Sequence, residues 1–534
     1  MSKPNVVLIN FSNPSIPEIR NNDVQREGLG IIIVNELLKK QKISTHLLSV
    51  PEEVNKNNIK LDDSFYGRFI EIIKSKNPTH IGFTTFADNY VNIIVLAKKI
   101  KEEIENVKIF LGGQQATNTA HETMKKFDFI DFLIIGEFEN IAEEFSNYLK
   151  KEISIEELPN AVYKKSGEIK SNTVLRTSSD EIPQINYSKN NIKNTYPMHI
   201  ESGRGCPFNC TFCTSGFWGD YRPKPIDKFI EEIRINKEKG IKKFEIADLH
   251  FTIDKKRLQK FCEKIRTLDI QWKCQGHINS LDEKTILEME DSGCKQISFG
   301  IESGDKNIRD RIKKNIDLEK AEKIIKFIGN ETDITPKVSF ITGFPFENKE
   351  TLKNTFIKAT KYYLQGSDIV LMPLFPLPCT ELLRKYNERL VFDSKIYKNS
   401  DLFTILNEDK ESDLIKQNKN LFVAYYRYEP LEVSRYYILA VTNIFAKYLE
   451  NFPLTLNYII KSSETNLIKH LDEIIFQFSD NTHKAFFETL ENSNINRMIE
   501  KTLKHHGNKK VRSMFENELN NKISFETGKV ERYV

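Results

Sequence analysis

The sequence predicts an α/β protein with a Rossmann-like, doubly wound N-terminal domain, a partial (β/α)6 barrel and a helical C-terminal domain. Three observations support this fold class. Strand-like and helical patterns alternate over residues 1–150, they alternate again from Met198 to about residue 390, and beyond that amphipathic helices dominate. We therefore expect domains at 1–150, 195–390 and 391–534, with a linker at 151–194 that carries a small hairpin at 161–171.

The N-terminal alternation defines five strands. They are expected at Val6–Asn10, Ser44–Ser49, His80–Thr84, Lys108–Leu111 and Phe132–Ile135. The helical patterns between and after them cover Gly30–Lys40, Phe65–Lys74, Val91–Glu105 and Ile141–Lys150. A doubly wound parallel sheet binds its ligand outside the carboxyl ends of the strands, so the turns there are the candidate binding elements.

The second alternation defines six shorter strand–helix units. Strands are expected at 198–202, 242–248, 270–277, 295–301, 336–342 and 368–375. The helices between them are expected near 226–239, 255–268, 282–291, 306–328 and 349–365. In such barrels the chemistry takes place at the carboxyl ends of the strands and in the loops that follow them.

Composition excludes several classes of protein. The chain has 534 residues, of which 39% are hydrophobic and 29% charged, as in ordinary soluble proteins and unlike disordered or membrane-spanning ones. A formal charge of +4 does not predict a nucleic-acid partner. The apolar stretch Val6–Ile9 is too short for the core of a signal peptide, so we expect a cytoplasmic location and no membrane span.

Three cysteines lie on one short loop after the first barrel strand. Cys206, Cys210 and Cys213 follow the spacing Cys-x3-Cys-x2-Cys. Three thiolates so arranged suit three corners of a cubane iron–sulfur cluster and leave its fourth iron without a protein ligand. Structural zinc is the alternative, although a zinc site normally has a second pair of cysteines or histidines and none accompanies this loop.

With Phe212 before the third cysteine, the loop resembles the signature of radical S-adenosylmethionine (SAM) enzymes. The resemblance implies that the cysteines hold a [4Fe–4S] cluster whose fourth iron is chelated by SAM. One electron from the reduced cluster then cleaves SAM to methionine and a 5′-deoxyadenosyl radical. The protein binds, orients and shields these groups.

The resemblance continues at other strand ends of the barrel. It implies SAM contacts from Phe212, Asp248, Glu302, Ser303 and Gly343. Taken alone, Ser303 also suits the start of a helix, and Gly343 also suits a rigid turn. Cys379 follows the sixth strand, where the family usually has glycine.

The turns at the carboxyl end of the N-terminal sheet are rich in small residues. Together they resemble a cobalamin-binding domain, which implies cobalamin contacts from Ser12, Thr84, Thr85, Gly112, Gly113, Gln114, Gly136 and Glu137. Gln25 stands where some relatives have a histidine that binds cobalt. Either cobalamin binds without a protein histidine, or the domain has lost the cofactor and only supports the barrel.

These parts predict a cobalamin-dependent radical SAM C-methyltransferase that modifies an unactivated carbon of a natural product, peptide or lipid. An electron donor such as flavodoxin or ferredoxin is implied as a partner, and no nucleic acid. Two alternatives stay open. One is radical rearrangement, cyclisation or carbon–carbon coupling, with cobalamin non-methylating or absent. The other is a non-enzymatic iron–sulfur or zinc protein.

Overall fold

The structure is a computed structural model that describes residues 3–11, 28–62, 64–187, 197–214, 219–394, 408–462, 466–476, 492–521 and 530–532. Two seven-stranded sheets form its framework, one in the N-terminal domain and one in the barrel. None of the helices described is long and apolar enough to cross a membrane.

The N-terminal sheet has the strand order β2-β1-β3-β4-β5-β6-β7. The first five strands are parallel, and β6 and β7 form an antiparallel hairpin that extends the sheet from β5. The strands are β1 Asn5–Asn10, β2 Ser44–Ser49, β3 His80–Thr84, β4 Lys108–Gly112, β5 Phe132–Ile134, β6 Ala161–Lys165 and β7 Glu168–Ser171. All five predicted strands and the hairpin are confirmed, but the hairpin belongs to the sheet and is more than a connection.

Helices cover both faces of this sheet. They are α1 Leu29–Lys40, α2 Val50–Asn55, α3 Phe65–Lys74, α4 Tyr90–Glu103, α5 Gln114–Asn118, α6 Ala120–Lys126 and α7 Ala142–Leu149. The strands are buried on both sides because alternate residues face different helices. Val7 and Ile9 pack with α3 and α4 in one core, and Val6 and Leu8 pack with α1 and α7 in another.

The barrel sheet has the order β18-β15-β14-β13-β12-β11-β8 and all its pairs are parallel. Its strands are β8 Met198–Ile200, β11 Lys243–Ile246, β12 Gln271–Gly276, β13 Cys294–Glu302, β14 Thr335–Thr342, β15 Asp368–Pro373 and β18 Val530–Arg532. The six predicted strands are confirmed. The seventh comes from the C-terminal end of the chain, where the sequence predicts helices.

The barrel helices are α8 Ile226–Glu238, α9 Lys255–Ile265, α10 Glu283–Asp291, α11 Lys306–Arg311, α12 Leu318–Glu331, α13 Lys349–Tyr363 and α14 Glu381–Tyr386. The prediction of a single helix at 306–328 is wrong. It is divided by a turn in which Lys313 has φ +57°, and Asp317 starts α12 by accepting from the amides of Glu319 and Lys320.

The C-terminal region packs against the barrel and adds strand β18 to the edge of its sheet. Its helices are α15 Glu408–Gln417, α16 Arg435–Asn451, α17 Pro453–Lys461, α18 Leu467–Phe476, α19 Asn492–Lys504 and α20 Lys509–Asn521. A short antiparallel pair, β16 Leu390–Phe392 and β17 Tyr426–Tyr428, precedes α16. Helix α16 packs on the barrel, where Phe445 stacks on Phe356 of α13 with ring centroids 4.2 Å apart.

Candidate active site

The cysteine loop begins in a two-stranded ribbon at the mouth of the barrel. β9 (Gly203–Arg204) pairs with β10 (Arg222–Pro223), and the amide of Cys206 donates to the carbonyl of Gly219. Gly205 has φ +87°, and a Cβ there would lie 2.1 Å from the carbonyl oxygen of Asp220. Only glycine fits this close approach, so the ribbon determines where the first cysteine starts.

The three cysteines are reduced and partly shielded from solvent. Cys206 is buried, and Cys210 and Cys213 are half-buried. Burial raises the pKa of the Cys210 thiol to about 11; the Lys314 ammonium opposes this shift, and the nearby Cys213 and Cys206 add to it. The sulfurs therefore lie within electrostatic range of one another. Among the described residues no three His, Cys, Asp or Glu side chains are arranged to hold a single metal ion.

Two barrel segments fasten the loop between its cysteines. The amide of Thr211 donates to the carbonyl of Ile312 at 3.1 Å, and the carbonyl of Thr211 accepts from the amide of Leu382 at the start of α14 at 2.8 Å. The Cys210 Sγ lies 4.0 Å from the carbonyl oxygen of Lys313. The turn between α11 and α12 therefore supports the loop directly.

Aromatic side chains line the side of the loop that faces the second and third barrel strands. Phe208 stacks on His277 with centroids 4.5 Å apart and meets the edge of His250 at 5.2 Å. Burial lowers the pKa of His250 to about 3 and that of His277 to about 4, and Lys314 adds to both shifts. Both imidazoles are therefore neutral at neutral pH.

Glu302 ends β13 in an unusual backbone conformation. Its φ is +66°, and the register between β13 and β14 shifts between Gly300 and Glu302. Its buried carboxylate pairs with Lys314, with Oε1 and Nζ 3.1 Å apart. The carboxylate also lies within electrostatic range of the Cys210 thiol, so the predicted SAM contact at Glu302 lies beside the cysteine loop.

Two other predicted SAM contacts are engaged within the fold. The Asp248 carboxylate accepts from the amide and hydroxyl of Ser202, both at 2.6 Å, and from the amide of Gly203 at 3.1 Å. Ser303 is fully buried, shares a hydrogen bond with Thr355 and accepts from the amide of Asp305. These bonds position the turns around the cysteine loop, and SAM contact by either side chain stays a prediction.

The remaining predicted SAM contacts lie at the loop and at the end of β14. Phe212 meets Phe344 edge to face, with centroids 6.0 Å apart. The amide of Gly343 donates to Oε2 of the fully buried Glu347. Burial raises the pKa of Glu347 to about 8, and the Gly343 and Phe344 amides oppose the shift. The segment after β14 therefore approaches Phe212, and SAM contact by Phe212 or Gly343 stays a prediction.

A cavity of about 420 Å³ opens between the two sheets. Its walls include the predicted cobalamin residues Thr84, Gly112, Gly113, Gln114, Gly136 and Glu137. On the barrel side they include Gly203, Arg204 and Gly205, which immediately precede Cys206. One cavity thus reaches from the carboxyl ends of the N-terminal strands to the start of the cysteine loop.

Thr85 and Ser12 differ from the other predicted cobalamin residues. Thr85 is not among the residues that line the cavity; its hydroxyl donates to the carbonyl of Gly112 and accepts from the amide of Ala116. It shapes the turn that forms the wall, in which Gly113 has φ +93° and no room for a Cβ beside Thr85. Ser12 and Gln25 lie outside the described residues.

A buried ionic network joins the two domains beside the cavity. Arg204 contacts Glu201 at 2.7 Å, Glu139 at 2.6 Å and Glu137 at 3.4 Å. Arg222 also pairs with Glu137, at 2.7 Å. The Glu137 carboxylate, predicted to contact cobalamin, is thus also an interdomain contact. A further link joins Gln114 to Thr214, the residue after Cys213.

The inner face of the barrel carries polar residues that our sequence analysis missed. Phe244, Trp272 and Phe299 point outward into the core beneath the helices. The residues between them form two rows, because neighbours in register share a face of the sheet. The rows are His199–Glu245–Lys273–Gln296 and Gln275–Ser298–Lys337–Asp368. The alternation of polar and apolar residues in these strands could have revealed this polar inner face. In a packed barrel, both the inward-facing and the outward-facing positions would be apolar.

Two family models match the chain. Residues 26–146 match the B12 binding domain, and residues 200–358 match the radical SAM superfamily. An uncharacterized methyltransferase of Pyrococcus horikoshii is 29% identical over 59% of this chain and 71% of its own length. The anaerobic magnesium-protoporphyrin IX monomethyl ester cyclase of Cereibacter sphaeroides is 26% identical over 62% of this chain and 57% of the cyclase.

The fold is also similar to that of a solved structure. The cobalamin-dependent SAM radical enzyme OxsB with aqua-cobalamin bound has a TM-score of 0.61 at 14% identity, covering 98% of this chain and 80% of OxsB. The family match over residues 200–358 and the cysteine loop within it identify a radical SAM enzyme. More particularly, the chain belongs to the radical SAM enzymes that carry a B12-binding domain.

The cofactors of this family are a [4Fe–4S] cluster, SAM and cobalamin, and the residues present fit them. Three reduced cysteines on one loop, with no fourth protein ligand in the sequence motif, suit a cluster with an open iron. Glycines and small hydroxyl residues at strand ends leave a cavity for a flat, bulky group.

Proposed function

We propose that this enzyme uses cobalamin and SAM to methylate an unactivated carbon. The observation that carries the proposal is the single cavity walled by both the N-terminal strand ends and Gly203–Gly205. Cofactors held there and on the cysteine loop would adjoin each other. The name of the Pyrococcus horikoshii relative, a methyltransferase, supports methyl transfer over other radical chemistry.

In this proposal the chain's own residues bind the cofactors and shield them from solvent. Cys206, Cys210 and Cys213 would hold the cluster, with Phe212 and the segment from Gly343 beside it. Phe208 and the neutral imidazoles of His250 and His277 form a wall that supplies no proton. When bound, the cluster supplies the electron that cleaves SAM, and cobalamin supplies a carrier for the methyl group.

We further propose that the substrate is a hydrophilic molecule, such as a peptide or polar natural product. The barrel lumen supports this, because its inner face presents amide, hydroxyl and charged groups, with Gln275 exposed two positions before His277. Covering this polar face with an apolar chain, such as that of a lipid, would remove its charged and amide groups from water, which is costly.

The proposal includes a cytoplasmic location and a low-potential electron donor of the flavodoxin or ferredoxin class. Three closely spaced thiols must stay reduced to take up iron, and cytosolic thiol systems maintain that state. Reduction of the cluster requires an external electron, because the one-electron cleavage of SAM consumes the electron that the reduced cluster holds.

A substrate-independent experiment tests methyl transfer. The enzyme is loaded anaerobically with cluster and cobalamin, reduced, and incubated with SAM that carries a deuterated methyl group. We expect S-adenosylhomocysteine and deuterium label in the extracted corrinoid. Bound corrinoid without label, and without S-adenosylhomocysteine, would favour non-methylating chemistry such as that named for the cyclase relative.

A further inference from the structure

Lys314 is a buried lysine directed at the cysteine loop. It lies in the turn between α11 and α12, and its neighbour Lys313 shows how unusual its position is. The Lys313 side chain is 54% exposed and pairs with Glu381 on the surface. The Lys314 side chain is only 10% exposed and pairs with the buried Glu302. Adjacent lysines therefore point in opposite directions.

The backbone around Lys314 is fastened to the loop on one side and to β13 on the other. Thr211, between the second and third cysteines, donates to the carbonyl of Ile312. The Lys314 ammonium lies over Gly300, since a Cβ built there would be 3.1 Å from Nζ. The ion pair with Glu302 and the burial of both side chains restrict the positions open to the ammonium.

This ammonium acts on the predicted cluster ligands. It lies within electrostatic range of Cys210 and Cys213, and the carbonyl oxygen of Lys313, the residue before it, is 4.0 Å from the Cys210 Sγ. The imidazoles that also face it, His250 and His277, are neutral. The Lys314 ammonium is therefore a buried positive group beside the loop, partly balanced by the Glu302 carboxylate.

We propose that Lys314 is a positioning residue that makes the bound cluster easier to reduce. A low-potential one-electron donor reduces [4Fe–4S]2+ to [4Fe–4S]+, and with three thiolates the net charge changes from −1 to −2. No bond forms or breaks and no proton moves. A fixed positive charge nearby stabilises the more negative state and raises the reduction potential. The inference rests on the proposed cluster ligands.

The test is a reduction potential measured without SAM. Wild type, K314Q, K314R and the matched control K313Q are loaded anaerobically with iron and sulfide, and their iron content is measured. Each is then titrated with dithionite while the signal of the reduced cluster is followed by electron paramagnetic resonance. K314Q keeps a hydrogen bond to Glu302 but loses the charge. We expect at least a tenfold loss in the equilibrium constant for reduction, about 59 mV for one electron.

K314R should restore the wild-type potential, and K313Q should not change it. E302Q, which removes the balancing carboxylate, should shift the potential in the opposite direction. A fully loaded K314Q with the wild-type potential would overturn the inference. So would failure of K314Q and K314M to load while K314R loads, because Lys314 would then hold the loop together. Failure of the wild type to load would instead overturn the proposed function.

Discussion

Some residues around the cysteine loop line the predicted cofactor site, and others hold the surrounding turns in place. Asp248 and Ser303 lie where the family resemblance places them, yet their oxygens are bonded to neighbouring turns. Cys379 has φ +63°, a conformation that favours glycine and accounts for the glycine usual in the family at this position. Sequence motifs therefore locate such residues, whereas their hydrogen-bond partners come from distant segments.

Glu347 makes stability depend on pH at the segment after β14. Its folded-state pKa of about 8 lies above the ordinary 4.5, so between these values the folded protein binds more protons than the unfolded chain. The contribution of this group to the free energy of unfolding is greatest below pH 4.5 and is lost as the pH rises to 8. We expect E347Q to exceed wild type in free energy of unfolding at pH 8 by at least about 1.4 kcal/mol.

The measurement is denaturant unfolding of both proteins at pH 5 and pH 8. Most of the difference in free energy of unfolding between E347Q and wild type should vanish at pH 5. The measurement at pH 5 is therefore the control for each protein. An E347Q protein that is less stable than wild type at pH 8 would show that the carboxylate is charged and favourable there, contrary to this account.

At the scale of elements, the sequence predicted strands best and interrupted helices worst. The five N-terminal strands are apolar runs between clear turn residues, and each was found within one residue of its predicted ends. The segment 306–328 has continuous helical periodicity, but the turn at Lys313 divides it, because Ile312 bonds to the cysteine loop. Strand β18 was not predicted. It is only three residues long, and it forms by pairing with β15 at the edge of the sheet.

The turn after β4 offers a test of the cobalamin cavity. Gly112 lines it, and a Cβ there meets only the carbonyl oxygen of Ile134, at 3.7 Å. Leucine at this position would extend into the cavity without clashing at its base. We expect G112L to bind cobalamin at least roughly tenfold more weakly, because an occupied cavity excludes the cofactor.

Corrinoid absorbance after gel filtration measures the bound cofactor, and the iron content of the loop should be unchanged. The control is G67L, on the exposed side of α3, where nothing lies within 4 Å of the new Cβ. Equal cobalamin retention by G112L and G67L would place the cofactor elsewhere.

For the whole molecule, the N-terminal domain and the barrel are joined by buried charge. Arg204 is shared among Glu137, Glu139 and Glu201, and all four side chains are at most 10% exposed. Burial acts against the guanidinium charge, but the Glu201 and Glu139 carboxylates prevail and raise the pKa of Arg204. Sequence could not reveal this network, because its members come from both domains and meet only after folding.

Removing the shared guanidinium should destabilise the junction. R204M leaves buried carboxylates without their cation, which typically costs about 3 kcal/mol or more. Thermal unfolding should show a lower midpoint for R204M, while R234M, whose arginine is 49% exposed beside Glu231, should match wild type. An R204M protein as stable as R234M would contradict a stabilising role for the network.

The proposed chemistry depends on the cysteine loop producing radicals from SAM. The most direct measurement is 5′-deoxyadenosine formation by the reconstituted, reduced enzyme under anaerobic conditions, compared among wild type, C210A and the control C379A. We expect 5′-deoxyadenosine from wild type and C379A, and at least a hundredfold loss in C210A together with loss of iron. Undiminished 5′-deoxyadenosine from C210A, or none from a wild-type enzyme with a full complement of iron and sulfide, would contradict the account.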